Sequence, residues 1–113
     1  MKLRWTLHFA NLDPIVGSEQ GKTRPVMVIN EEIDPKFTTL TILPITSRKP
    51  ERTIYPNEVL LPSGTSGLEK ESIVLCHQIR TLDRKRFIKF IGIIDDIEIQ
   101  QDIAEALRYH LGI

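Results

Sequence analysis

The stretch "GSEQGKTRPVMVIN", residues 17–30, decides how the chain is read. A polar loop bounded by Gly17 and Gly21 carries Ser18, Glu19 and Gln20, and Lys22, Thr23 and Arg24 follow it. The chain then runs without a pause into Pro25 and the apolar segment Val26–Ile29. A short, fully apolar run between a proline and a polar residue suits a buried strand. An acid, an amide and two cations are therefore set directly against the start of a core element.

Outward from this stretch, strand signals dominate the first ninety or so residues. "TLHFAN" (6–11) reads as an opening strand that ends at the turn "LDP". "LTILPITS" (40–47) is a β-branched run whose Pro44 favours an edge position or a bulge. "NEVLLP" (57–62) is a further short strand, "SIVLCHQIRTL" (72–82) is the longest strand candidate, and "FIKFIGII" (87–94) closes the series. "EEIDPKFTT" (31–39) and the tip "SGTSGLEKES" (63–72) read as connections that flank any groove, and "DRKR" (83–86) as one helical turn. A helix comes last: Asp95 and Glu98 form a capping pair, Ile99, Ile103, Ala106, Leu107 and Leu111 repeat at helical spacing, and Gly112 stops it. These six strand candidates fit a mainly β chain, read as a seven-stranded small barrel or sandwich with short helical turns and a C-terminal α-helix.

Composition sets the outer bounds. A chain of 113 residues is expected to form a single domain, 1–113. Hydrophobic residues at 41% and charged residues at 27% argue against disorder. No apolar run reaches the roughly 18 residues that span a bilayer, and the N-terminal stretch lacks a signal-peptide pattern. No membrane association is therefore expected, and a cytoplasmic location is. Cys76 is the sole cysteine, which excludes an internal disulfide and a cysteine metal cluster and suits a buried structural thiol. Net charge is zero, yet "RKPER" and "RTLDRKRFIK" cluster cations while "DDIEIQQDIAE" carries five acids and no base. Separated patches of this kind leave room for a local phosphate-binding groove. No phosphate-binding glycine loop, dinucleotide fingerprint, zinc-binding His-Glu-x-x-His or serine elbow is present, and His8, His77 and His110 lack metal-ligand spacing. Neither a metal nor a cofactor is expected.

The remaining candidates are polar residues at strand ends. Ser18, Glu19, Lys22 and Arg24 come from the opening loop; Thr46, Ser47 and Arg48 from "PITSR"; and His77, Gln78, Arg80 and Thr81 from "CHQIRT". Arginine with paired hydroxyls suits a phosphate, because the guanidinium fork matches two phosphate oxygens. The residues alone leave a second reading open, in which Glu19 and Arg24 simply pair across their own loop.

In order and spacing, "GSEQGKTRPVMVIN", "LPITS" and "SIVLCHQIRTLDRKRF" resemble the MazF/PemK family of toxin endoribonucleases. "NLDPIVGSEQ" and "IIDDIEIQQDIAEAL" extend the resemblance over roughly residues 9 to 111. The resemblance implies an SH3-like barrel, a homodimer, metal-independent cleavage of single-stranded RNA, and a cognate antitoxin that occupies the RNA groove. It also implies catalytic roles for Arg24 and Thr46, one for Glu19 as in some members, and an RNA path near Gln78 and Arg80. Ser18, Lys22, Ser47 and Arg48 join that path as expected phosphate or base contacts. Two other readings share the fold: a non-enzymatic toxin that binds a protein such as DNA gyrase, and an RNA-binding homologue without catalysis. Two positions depart from the family pattern. Trp5-Thr6 stands where members begin their first strand with Gly-Asp, and His77 stands where some carry an acid. Tryptophan lacks glycine's backbone freedom, so the start of the barrel is expected to be built differently.

Overall fold

The apolar run forms a strand because neighbours bury both of its faces. A computed structural model describes residues 2–32 and 34–113. Met1, and Ile33 within the "EEIDPKFTT" connection, lie outside the described residues. Strand β2 (Thr23–Val28) lies between β1 (Thr6–Asn11) and β3 (Thr39–Ser47), antiparallel to both. Met27 enters one core with Leu7, Leu43, Ile45 and Ile103, whereas Val26 and Val28 enter a second with Ala10, Leu40, Ile42 and Leu82. Successive side chains of a strand point to opposite faces, so two cores demand an unbroken apolar run. Each such side chain contributes roughly 1.5–3 kcal/mol on full burial.

Four further strands complete the sheet: β4 (Glu58–Leu61), β5 (Ser72–Leu75), β6 (Arg80–Asp83) and β7 (Phe87–Ile93). Their order is β4-β5-β3-β2-β1-β7, with β6 also paired to β3. The mainly β architecture with one terminal helix is as expected, but among the described residues the sheet does not close through hydrogen bonds. The 3₁₀ turn Thr65–Gly67, between β4 and β5, packs on β7 instead. Backbones meet there so closely that a Cβ on Gly92 would lie 2.2 Å from the Ser66 carbonyl oxygen, and one on Gly67 2.8 Å from that of Ile91.

The longest strand candidate is in fact two strands. β5 pairs Val74 with Ile45, and β6 pairs Arg80 with Ile42, so six steps along this segment match three along β3. The excess is taken up by a 3₁₀ turn at Cys76–Gln78, which drives Cys76 into the core. Leu43 and Pro44 consequently have no ladder partner on that side. Of the two places offered to Pro44, the bulge is the one it takes, where a missing N–H costs nothing.

Helix α1 spans Ile97–Leu111 and covers the first core through Ile103 and Ala106, with Ile99 and Leu107 partly buried. Its N-cap is Asp96 rather than Asp95: the Asp96 carboxylate accepts from the N–H groups of Glu98 and Ile99. Leu111, expected in the buried stripe, is exposed, and Gly112 ends the helix at φ +72°. Among the described residues no helix is long and apolar enough to cross a membrane.

The start of β1 keeps a glycine-type backbone despite its tryptophan. Trp5 adopts φ +70°, its N–H donating to the Val28 carbonyl at 2.7 Å and its carbonyl accepting from Ile94 N–H at 2.9 Å. Two ladder-like hydrogen bonds over-determine a conformation that costs a non-glycine residue about 1–3 kcal/mol. The expectation of a rebuilt strand start is corrected accordingly. Thr6 is buried and hydrogen-bonds the Leu3 carbonyl and, at 2.9 Å, the His8 ring, so it belongs to the core rather than to a surface site.

Candidate functional site

The β2–β3 register determines which polar residues meet. Its last pair is Val26 with Pro44, and continued by two residues it sets Arg24 opposite Thr46. The ladder has ended by then, and a cleft of about 530 Å³ opens that both residues line. Thr23, Ser47 and Ser72 add hydroxyls, Lys70 and Glu69 add charge, and Phe9, Pro25 and Leu68 supply apolar wall. Arg24 Nε donates to the Gly21 carbonyl at 2.9 Å. Its two terminal nitrogens have no protein partner among the described residues, which leaves the fork free for a phosphate.

The loop that carries Arg24 is held from several directions. Leu12 N–H donates to the Lys22 carbonyl at 2.9 Å, and Lys22 N–H to the Asp13 carboxylate at 2.8 Å. That carboxylate explains Gly21: a Cβ there would lie 2.6 Å from Asp13 Oδ1 and 3.0 Å from Ile15. Glu19 accepts from Val16 N–H at 2.7 Å, closing a small turn within the loop. It does not pair with Arg24, so the simple local ion pair is not what the structure contains.

Not every candidate reaches the Arg24–Thr46 cleft. Ser18, Glu19, Gln78 and Arg80 line a second cleft of about 450 Å³, together with His77 and Ile79. Gln78 there accepts from Gln20 N–H at 2.7 Å and donates to the Ser18 carbonyl at 3.3 Å, while Arg80 donates to the Leu12 carbonyl at 3.2 Å. Lys22 is exposed and lines neither cleft. Arg48 also lines neither: its guanidinium is engaged by Glu71 at 3.0 Å and by the Arg52 carbonyl. Ser47 alone of the expected accessory contacts accompanies Thr46.

Sequence reasoning missed Glu69, Lys70 and Glu58. Glu69 and Lys70 enter the first cleft from the "SGTSGLEKES" tip, whose flanking position was foreseen but not these side chains. Glu58 is a buried carboxylate forked onto Arg52 by two 2.8 Å hydrogen bonds, and its pKa is lowered chiefly by that bond. His77 Nδ1 lies 3.9 Å from the same carboxylate, facing the β4 side rather than the first cleft. Burial pushes the Cys76 thiol up to about 12, so it is an inert core thiol. Burial likewise lowers the His8 pKa.

With the geometry in view, comparison with known proteins is decisive. Residues 3–111 match the family described as PemK-like, MazF-like toxin of type II toxin-antitoxin system. The chain belongs to this family. It is 36% identical to Endoribonuclease EndoA of Bacillus subtilis over 110 residues, covering 97% of this chain and 94% of that protein. The crystal structure of MazF from Deinococcus radiodurans superposes with a TM-score of 0.80 at 28% identity, covering 97% of this chain and 96% of that one. MazF as seen in a MazE–MazF crystal structure from the same organism gives 0.73 at 26% identity, with 97% and 95% covered. The PemK/MazF match spans β1 through helix α1 and so takes in both clefts.

Proposed function

We propose that this chain is the toxin of a toxin–antitoxin pair and a sequence-selective, metal-independent endoribonuclease acting on single-stranded RNA. One observation carries the reading: Arg24 and Thr46, 22 positions apart in sequence, line a single cleft rich in hydroxyls. The name borne by the Bacillus subtilis relative and the family description support it.

In this reading the RNA's own 2′-oxygen attacks the adjacent phosphorus, the bond from phosphorus to the 5′-oxygen breaks, and a 2′,3′-cyclic phosphate and a 5′-hydroxyl result. The 2′ proton leaves to a base and the departing 5′-oxygen gains a proton. The Arg24 fork stabilises charge on the phosphoryl oxygens, a role that suits a guanidinium better than proton transfer. The Thr46 hydroxyl orients the phosphate or the 2′-hydroxyl. Glu19, for which the resemblance implies a catalytic role, lies in the neighbouring cleft and serves better to hold its loop than to act as the base, whereas Glu69 lines the reacting cleft. Ser18 and Arg80 mark a second stretch of the RNA path, in the cleft that Gln78 also lines. Residues 1–113 act as one toxin domain in the cytoplasm, paired as a homodimer and restrained by a cognate antitoxin.

Purified protein incubated with single-stranded RNA in EDTA tests this. Fragments ending in cyclic phosphate and 5′-hydroxyl are expected. Intact RNA would favour the gyrase-type toxin or the non-catalytic RNA binder instead.

A further inference from the structure

Gln78 was expected on the RNA path, yet both ends of its amide are occupied within the protein. It reaches across 58 positions to accept from Gln20 N–H at 2.7 Å, and across 60 to donate to the Ser18 carbonyl at 3.3 Å. One planar amide thus holds two backbone groups of the Gly17–Gly21 loop, and the carbonyl of Gly21, at the end of the same loop, receives Arg24 Nε at 2.9 Å. The two-residue backbone segment Gln20–Gly21 thus links Gln78, bonded at the Gln20 N–H, to the Arg24 guanidinium, bonded at the Gly21 carbonyl. Gln78 is itself fixed from behind, because it ends the Cys76–Gln78 turn whose first residue is fully buried.

The path matters because the tip of the loop, Ser18–Gln20, is tied among the described residues only back to Val16, through Glu19, apart from its bonds to Gln78. Ser18 and Glu19 are exposed, and Gly17 sits at φ +59° with open space around it. A loop of this kind samples alternative conformations unless its backbone groups are held. A guanidinium displaced by about 1 Å from a reacting phosphate loses on the order of 100-fold in rate. A side chain that removes this freedom raises kcat without touching RNA.

We propose that Gln78 is a positioning residue that orders the 18–21 loop and thereby aims Arg24, rather than a contact for the RNA. This rests on the ribonuclease reading above. The test is steady-state cleavage of a short single-stranded RNA by Gln78→Ala, in wild-type and Arg24→Lys backgrounds, with thermal melts of each variant. Lysine has no Nε to donate to the Gly21 carbonyl, so the path is already cut in that background.

The expected result is a fall in kcat of about 10-fold or more with KM changed less than about 2-fold, and no further fall in kcat when Arg24→Lys is present. A raised KM with kcat intact would show Gln78 to be an RNA contact and overturn the proposal. Losses that multiply fully in the double variant would overturn it too. Gln78→Met, which keeps bulk and drops both hydrogen bonds, carries the same test if the alanine variant does not fold. Hydrogen exchange at the Gln20 amide gives a readout independent of activity: faster exchange in the variant is expected, and unchanged exchange overturns the clamp. If wild-type protein cuts no RNA, the ribonuclease reading fails, and the clamp stands or falls on that amide alone.

Discussion

Arg24 and Thr46 face one another two residues beyond the last paired position of β2 and β3, at the point where the ladder gives way to a cleft. Pairing keeps their separation fixed, while the end of pairing gives a ligand room. The core of both strands behind them sets the rigidity that electrostatic stabilisation of a transition state requires.

Arg24→Ala is expected to lower single-turnover RNA cleavage by about 100-fold or more, in the range seen when a preorganised donor is removed. Thr46→Val, which keeps the shape and drops the hydroxyl, should lower it by a smaller factor. Both variants should retain the wild-type circular dichroism spectrum, since neither side chain belongs to a core. Near-normal cutting by Arg24→Ala would remove the basis for assigning this cleft.

The loop contact that spans the open sheet makes a stability prediction. Gly92→Ala would force a Cβ to within 2.2 Å of the Ser66 carbonyl oxygen, so strand and turn must move apart. A loss of about 1–3 kcal/mol in urea unfolding is expected. Gly64→Ala meets nothing within 4 Å and carries only the cost of its φ of +82°, so it should lose less.

Glu58 should make the fold acid-sensitive. Its carboxylate is held below the ordinary glutamate range, chiefly by the hydrogen bond to Arg52. A lowered folded-state pKa means that the unfolded chain binds the proton more readily. The stabilisation is therefore complete above the ordinary glutamate range and is lost as pH falls through the lowered value. His8, also lowered, acts in the same direction just above that window, below the ordinary histidine range. Unfolding midpoints measured from neutral to acid pH should show Glu58→Gln less stable at neutrality and closer to wild type in acid. A constant difference across the range would refute this account.

Asp96, not Asp95, should matter to the helix. Asp96→Ala removes the acceptor for two helix N–H groups and is expected to cost about 1 kcal/mol by urea unfolding, while Asp95→Ala should change stability by less than half of that.

Periodicity and punctuation alone carried the strand list, the terminal helix and the β2 run, because those signals are local: side chains that must enter a core repeat with the period of their own element. The family motifs likewise named Arg24 and Thr46 from short stretches of sequence. What local pattern does not encode is which stretches lie beside each other. "SIVLCHQIRTL" reads as one strand because each residue suits a strand; only its two registers against β3 reveal the three-residue excess at Cys76–Gln78. That turn directs Gln78 onto the loop, pairing elsewhere sends Arg48 to Glu71, and a turn within the loop itself holds Glu19 at Val16, away from Arg24. The sequence by itself determined which residues are apolar, where the chain turns and which groups are available for chemistry. Tertiary structure alone decided which of those groups share a cleft, since register and loop packing are fixed by contacts between residues tens of positions apart.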